Sequence, residues 1–255
     1  MKKIALTSLL AVFAASGAHA ANAIDGNPLY MPRAGHFYSE TSLYSHSENS
    51  EDWTLAEEFG YGITNNLAVN VKTSVSEQES FDAYGWNDAA FGLTARLFDV
   101  RAWKLDVYGG YGVAPVWPYH APFLAEEDTG YMWTVGVRGG YKTAMWTIAG
   151  HFDFNYMGDE SFNWDEEGRH MLRAGVDGQF VIDSNWNLVA GAEYTGYTDD
   201  GVKNGGSWEG MFGVNYNFDA NKYIGAYVSG GLTHATGDWE WVDGFGYGVK
   251  FGIEF

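Results

Sequence analysis

The residues able to do chemistry are scattered along the chain and do not gather into a catalytic motif. The histidines beyond residue 20 are His36, His46, His120, His151, His170 and His234. None opens a His-x-Ser, and no Gly-x-Ser-x-Gly elbow occurs. His151-x-Asp153 sets two polar groups on one face of a strand with no nucleophile beside them. Paired carboxylates such as Asp199-Asp200 could assist hydrolysis but say little alone. Zinc-ligand spacing and a phosphate loop are both missing. The acids of 159–167 suit a hard cation such as Ca²⁺, yet lack the Asp-x-Asp-x-Asp-Gly order of a dedicated loop. Neither an enzyme nor a cofactor is expected. What remains is electrostatic: Lys72, Arg138, Arg173 and Lys250, with Asp153, Asp177, Glu193 and Glu209. Brought together in a wet bore, they would sort solutes by charge.

The elements that must position these residues follow from a period of two. Phe245, Tyr247, Val249, Phe251, Ile253 and Phe255 share one strand face, and Gly246, Gly248, Lys250, Gly252 and Glu254 share the other. The pattern recurs, as in Trp146, Ile148, Phe152, Phe154 and Tyr156 against Thr147, His151, Asp153 and Asn155. Aromatics often stand at both ends of the apolar face, as two interfacial girdles around a hydrocarbon band require. Short turns at Thr64-Asn65-Asn66, 99–102, Thr143-Ala144, 183–185 and 219–221 alternate with longer polar stretches. The latter fall near 47–52, 80–86, 115–129, 158–168, 199–206 and 235–243. The alternation predicts 12 strands, within a range of 10–14, at 34–46, 53–63, 67–79, 86–98, 103–114, 130–142, 145–157, 169–182, 186–198, 207–218, 222–234 and 244–255. No expected strand interior contains Pro, as a closed hydrogen-bonded barrel demands. The expected fold is all-β: a closed antiparallel transmembrane β-barrel with short periplasmic turns and longer, acidic extracellular loops.

Composition narrows the alternatives. The 255 residues carry a formal charge of −19, 17% aromatics, 34 Gly and no Cys. A disordered acidic chain would lack the aromatics, a disulfide scaffold needs Cys, and a nucleic-acid partner would call for a basic field. Lys2-Lys3, the apolar run 4–15 and Ala18-His19-Ala20 read as a secretory signal peptide over 1–20. Its removal takes two bases and no acid, so −19 becomes −21. Residues 21–33 are expected as an N-terminal periplasmic segment and 34–255 as the barrel.

With its leader, alternating strands and terminal Tyr247…Phe251-Gly252-Ile253-Glu254-Phe255, the chain resembles a Gram-negative outer-membrane β-barrel of the small porin-like kind. The closing aromatic is similar to the signal read by the outer-membrane assembly machinery. The resemblance implies export through the periplasm and insertion into the outer membrane of the Gram-negative cell. Partners would be that machinery, outer-membrane lipid, lipopolysaccharide and small solutes, without nucleic acid.

In this register Lys72, Arg96, Lys104, Arg138, Lys142, Arg169, Arg173 and Lys250 point inward, with Glu58, Asp106, Asp153, Asp177, Glu193, Glu209 and Glu254. A basic wall on strands three to six would face an acidic one on seven to ten, with Arg173 the exception. Pairing between neighbouring strands, merely to fill the barrel, is the plainer reading. Inward Gly110, Gly112, Gly136, Gly140, Gly246 and Gly248 suggest open space. The 115–129 loop could fold inward or cap the mouth. Strands one and two fit least well, since Glu57 would face lipid. Either a bulge shifts their register or they meet another subunit, giving a homo-oligomer. The expected function is passive diffusion of small hydrophilic solutes. The alternative is a surface-exposed structural or adhesion barrel with a closed lumen, and a barrel hydrolase ranks below both.

Overall fold

A computed structural model describes residues 26–78, 83–115, 129–157, 169–197, 206–234 and 239–255. The leader and most of the long polar loops, 115–129 included, lie outside these residues, as do the carboxylates of 159–167 and 199–200.

Alternating side chains build β1 (Phe37–His46), β2 (Asn49–Thr64), β3 (Leu67–Gln78), β4 (Ala83–Val100), β5 (Trp103–Pro115), β6 (Thr129–Lys142) and β7 (Trp146–Met157). They continue through β8 (Arg169–Val181), β9 (Trp186–Tyr197), β10 (Gly206–Asp219), β11 (Lys222–Thr233), the short β12 (Glu240–Trp241) and β13 (Gly246–Glu254). Each strand pairs antiparallel with its neighbour through β11, β11 pairs with β13, and β13 pairs with β1. The ring of 12 long strands is thereby closed. Every backbone donor and acceptor in the ring has a neighbouring strand available, which is the condition for crossing a hydrocarbon layer.

The outer face is apolar. Val135, for example, is 61% exposed, and Phe91, Phe152 and Phe212 are similarly open. Aromatic pairs gather at both rims. At the short-turn end Trp103 meets Tyr141 with centroids 4.9 Å apart and Trp186 meets Tyr216 at 4.9 Å. At the opposite end Tyr111 meets Trp133 at 4.6 Å and Tyr194 meets Trp208 at 5.2 Å. These are the two girdles expected from the sequence.

Several local expectations need correction. Residues 47–52 do not form a long loop: a tight turn at Ser47-Glu48 leads into β2 at Asn49, and residues 50–52 bulge out of register with β1. These polar residues extend the hairpin at the rim, where a strand needs no apolar face. Residues 240–241, expected in a loop, pair with β11. The first strand starts at Phe37 and not at 34, because Gly35 at φ 81° turns the chain out of the sheet. Around Glu57 the register is continuous, so no bulge turns that carboxylate inward. It lies on the outer face and accepts hydrogen bonds from Ser39 Oγ at 2.6 Å and Thr41 Oγ1 at 2.5 Å.

The inward glycines do not simply leave space. A Cβ on Gly136 would meet the Tyr108 ring and Asp153, both from adjacent strands. One on Gly252 would collide with the Tyr223 ring. In each case the missing side chain lets a large neighbour lie flat across the wall.

Candidate functional site

The candidate site is the bore. Strand parity brings Lys72, Arg138, Asp153, Arg173, Asp177, Glu193 and Lys250 to the inner face, where all are largely buried. Glu209 also faces inward but remains exposed.

Ion pairs join them mainly to neighbours in the sheet. Lys72 Nζ lies 3.0 Å from Glu58 on β2. Arg96 Nε and Arg138 Nη2 both donate to Asp106, at 2.8 and 2.6 Å, so one carboxylate with no exposed surface serves two guanidiniums. Arg173, from the acidic half, donates through Nε to Asp153 at 2.8 Å. Asp153 also accepts from Tyr108 Oη at 3.0 Å and Asn155 Nδ2 at 2.5 Å. His151 lies 3.3 Å from Asp177 and 3.0 Å from Glu193. Leaving any such buried charge alone costs about 3–5 kcal/mol, so these pairs are mutually dependent.

Lys250 sits apart from this set, 3.9 Å from Glu40 and above the Tyr227 ring. Glu40 also accepts from Tyr223 Oη at 2.6 Å. The expected acids omitted Glu40, because neither face of β1 is apolar enough to fix its register. Its place became visible only when β13 closed against β1. Glu209 lies opposite Glu193 on β9 and accepts from Ser229. Lys104 and Lys142 are only partly buried, and Lys104 pairs with Asp99 at 2.5 Å near a short turn. The Arg169 side chain lies outside the described set.

The largest addition to the sequence reading is the segment 26–33. At the short-turn end it enters the bore and crosses it. Arg33 Nε and Tyr30 Oη both donate to Glu254, at 2.7 and 2.9 Å. Arg96 Nη2 donates to the Leu29 carbonyl at 2.8 Å, and Arg138 Nη2 donates to that of Tyr30 at 3.2 Å. Leu29 is 1% exposed, and Gly26 lies against Val189 and Asn215. Charged wall residues thus hold the segment largely by its backbone, which no pattern of side chains announces.

Above this segment lies a cavity of about 140 Å³. Tyr30, Met31 and Pro32 contribute to its lining, together with Lys72, Arg138 and Arg173. Across the bore, Gly26, Tyr223, Tyr227 and Lys250 leave only about 10 Å³. Among the described residues no group of three or more His, Cys, Asp or Glu side chains is placed to hold a metal ion.

Solved structures share this architecture. The COG4313 outer membrane channel from Pseudomonas putida F1 matches with a TM-score of 0.58 at 12% identity, over 89% of this chain and 97% of that one. The fold is that of the outer-membrane β-barrels. The NanC porin matches this barrel with a TM-score of 0.57 at 10% identity, over 85% of this chain and 98% of that one. The translocator domain of the autotransporter NalP from Neisseria meningitidis matches at 0.55 and 12%, over 98% and 96%. No protein-family model matches the sequence, and no curated protein matches it. At these identities the likeness describes the barrel and not what passes through it.

Proposed function

We propose that this barrel is an outer-membrane channel for passive diffusion of small hydrophilic solutes. The observation that carries the reading is the cavity of about 140 Å³, lined in part by charged side chains inside a closed wall whose outer face is apolar. A buried wall that served packing alone would need no such space. Selectivity would come from bore width and from the charges of Lys72, Arg138 and Arg173, without an energy source or a catalytic step. On this reading the chain is exported through the periplasm and inserted by the assembly machinery. The short turns then face the periplasm, and the acidic loops meet lipopolysaccharide.

Residues 26–33 favour a second reading, in which the lumen is closed and the loops act at the surface as a structural or adhesive element. Single-channel recording in planar bilayers separates the two. A channel gives stepwise currents that rise with salt. A closed barrel gives none, either intact or after removal of residues 26–32.

A further inference from the structure

We infer that the chamber beside Lys72, Arg138 and Arg173 binds a small organic carboxylate, an inference that rests on the channel reading for how the ligand arrives. Three basic side chains, Lys72, Arg138 and Arg173, line the chamber against one acid, Glu58. The acids matched to the two arginines are set back in the wall. Asp106 has no exposed surface and Asp153 has 2%. Asp106 is moreover shared between Arg96 and Arg138, and Arg96 also lies 3.7 Å from Asp99, which pairs with Lys104, so three cations meet two acids in that part of the wall. Among the described residues Arg138 donates through Nε and Nη2, to Asp106 and to the Tyr30 carbonyl. A guanidinium has five N–H donors, of which these bonds take three, so Arg138 would offer a ligand oxygen its Nη1 group and not a two-nitrogen fork.

The rest of the lining selects for an organic body. Tyr38, Tyr108 and Met132 offer apolar surface next to the cations. Their contact would add to charge pairing for a carboxylate with a short carbon frame, and would add little for a fully hydrated inorganic anion. The space is well below the ~300–1,000 Å³ of pockets for drug-sized ligands, which limits the solute to a small one. His151 lies at the same wall but has its ring nitrogens turned to Asp177 and Glu193, so it braces the acidic side.

Benzoate is the probe, titrated calorimetrically into the folded protein in detergent micelles, with inorganic phosphate and tetraethylammonium in parallel. Saturable benzoate binding is expected, weaker phosphate binding, and none for tetraethylammonium. Lys72→Gln and Arg138→Gln should each weaken benzoate binding. If Arg138→Gln fails to fold, Lys72→Gln still decides the matter. Absence of benzoate binding, or binding untouched by Lys72→Gln, overturns the inference. In bilayers under a potassium chloride gradient the reversal potential should have the sign of chloride selectivity and shift toward zero in Lys72→Gln. Cation-selective currents overturn the inference and leave the channel reading standing. A silent bilayer with intact benzoate binding overturns the channel reading alone.

Discussion

On the β9–β13 side of the bore the side chains leave about 10 Å³ between them, and on the β2–β8 side about 140 Å³. Both sides carry buried charge. On the packed side Lys250 lies near Glu40 and over the Tyr227 ring, beside Tyr223, with Gly26 leaning in from the N-terminal segment. On the open side Asp106 and Asp153 stand in the wall, and Lys72, Arg138 and Arg173 border the cavity with Glu58. Inward direction alone does not make a lumen charge functional. Space beside it decides whether a solute can meet it, and here the segment 26–33 helps to distribute that space.

Removing residues 26–32 should break the comparison most completely. The packed side loses Gly26, the open side loses its Tyr30-Met31-Pro32 lining, and unit conductance in planar bilayers should rise severalfold. Unchanged conductance would mean that the segment does not limit the bore. Next in size is Asp106→Asn. It leaves Arg96 and Arg138 facing a neutral amide, and should cost about 3–5 kcal/mol of barrel stability. Glu209→Gln, in an exposed position opposite Glu193, should stay within about 0.5 kcal/mol. Urea titrations followed by the folded-band shift on gels would compare the two.

A smaller contrast lies between two glycines. Gly252→Ala drives a methyl into the Tyr223 ring on the packed side and should cost about 1–3 kcal/mol. Gly112→Ala on β5 meets Ala90 Cβ at 3.4 Å, an ordinary contact, and should change stability by less than about 0.5 kcal/mol in the same titration. Equal losses would show that the open side is as tightly packed as the other. The smallest effect concerns the outer wall. Glu57→Leu replaces a carboxylate held by Ser39 and Thr41 and should stabilise a lipid-facing wall by about 1 kcal/mol. If β1 and β2 instead meet a second copy of the chain, the variant would lose an oligomer seen by native mass spectrometry.

Most of the barrel was legible in the sequence because its physics is local. A strand that faces lipid on one side and a filled bore on the other must alternate. So Trp146 to Tyr156 announced β7, and parity alone placed Arg96, Asp106 and Arg138 on one surface. Which partners they choose was less legible, since it depends on the register between strands. Strand β1 shows the limit: Ser39 and Thr41 on its outer face mimic the polar face of an ordinary strand, and Glu40 went unnoticed. Residues 26–33 show a different one. Asn27-Pro28-Leu29-Tyr30-Met31-Pro32 has no period, and its carbonyls, which every residue possesses, are the groups that Arg96 and Arg138 engage. The inward glycines misled for a related reason. Each vacates space at its own position, and whether Tyr108 or Tyr223 takes that space depends on the neighbouring strand.

The central claim is that the barrel conducts. Single-channel recording of the folded protein in planar bilayers, beside the variant lacking residues 26–32, tests it most directly. Stepwise currents are expected from the intact protein, and larger steps from the variant. Silent bilayers for both, with folded protein demonstrably inserted, would contradict it.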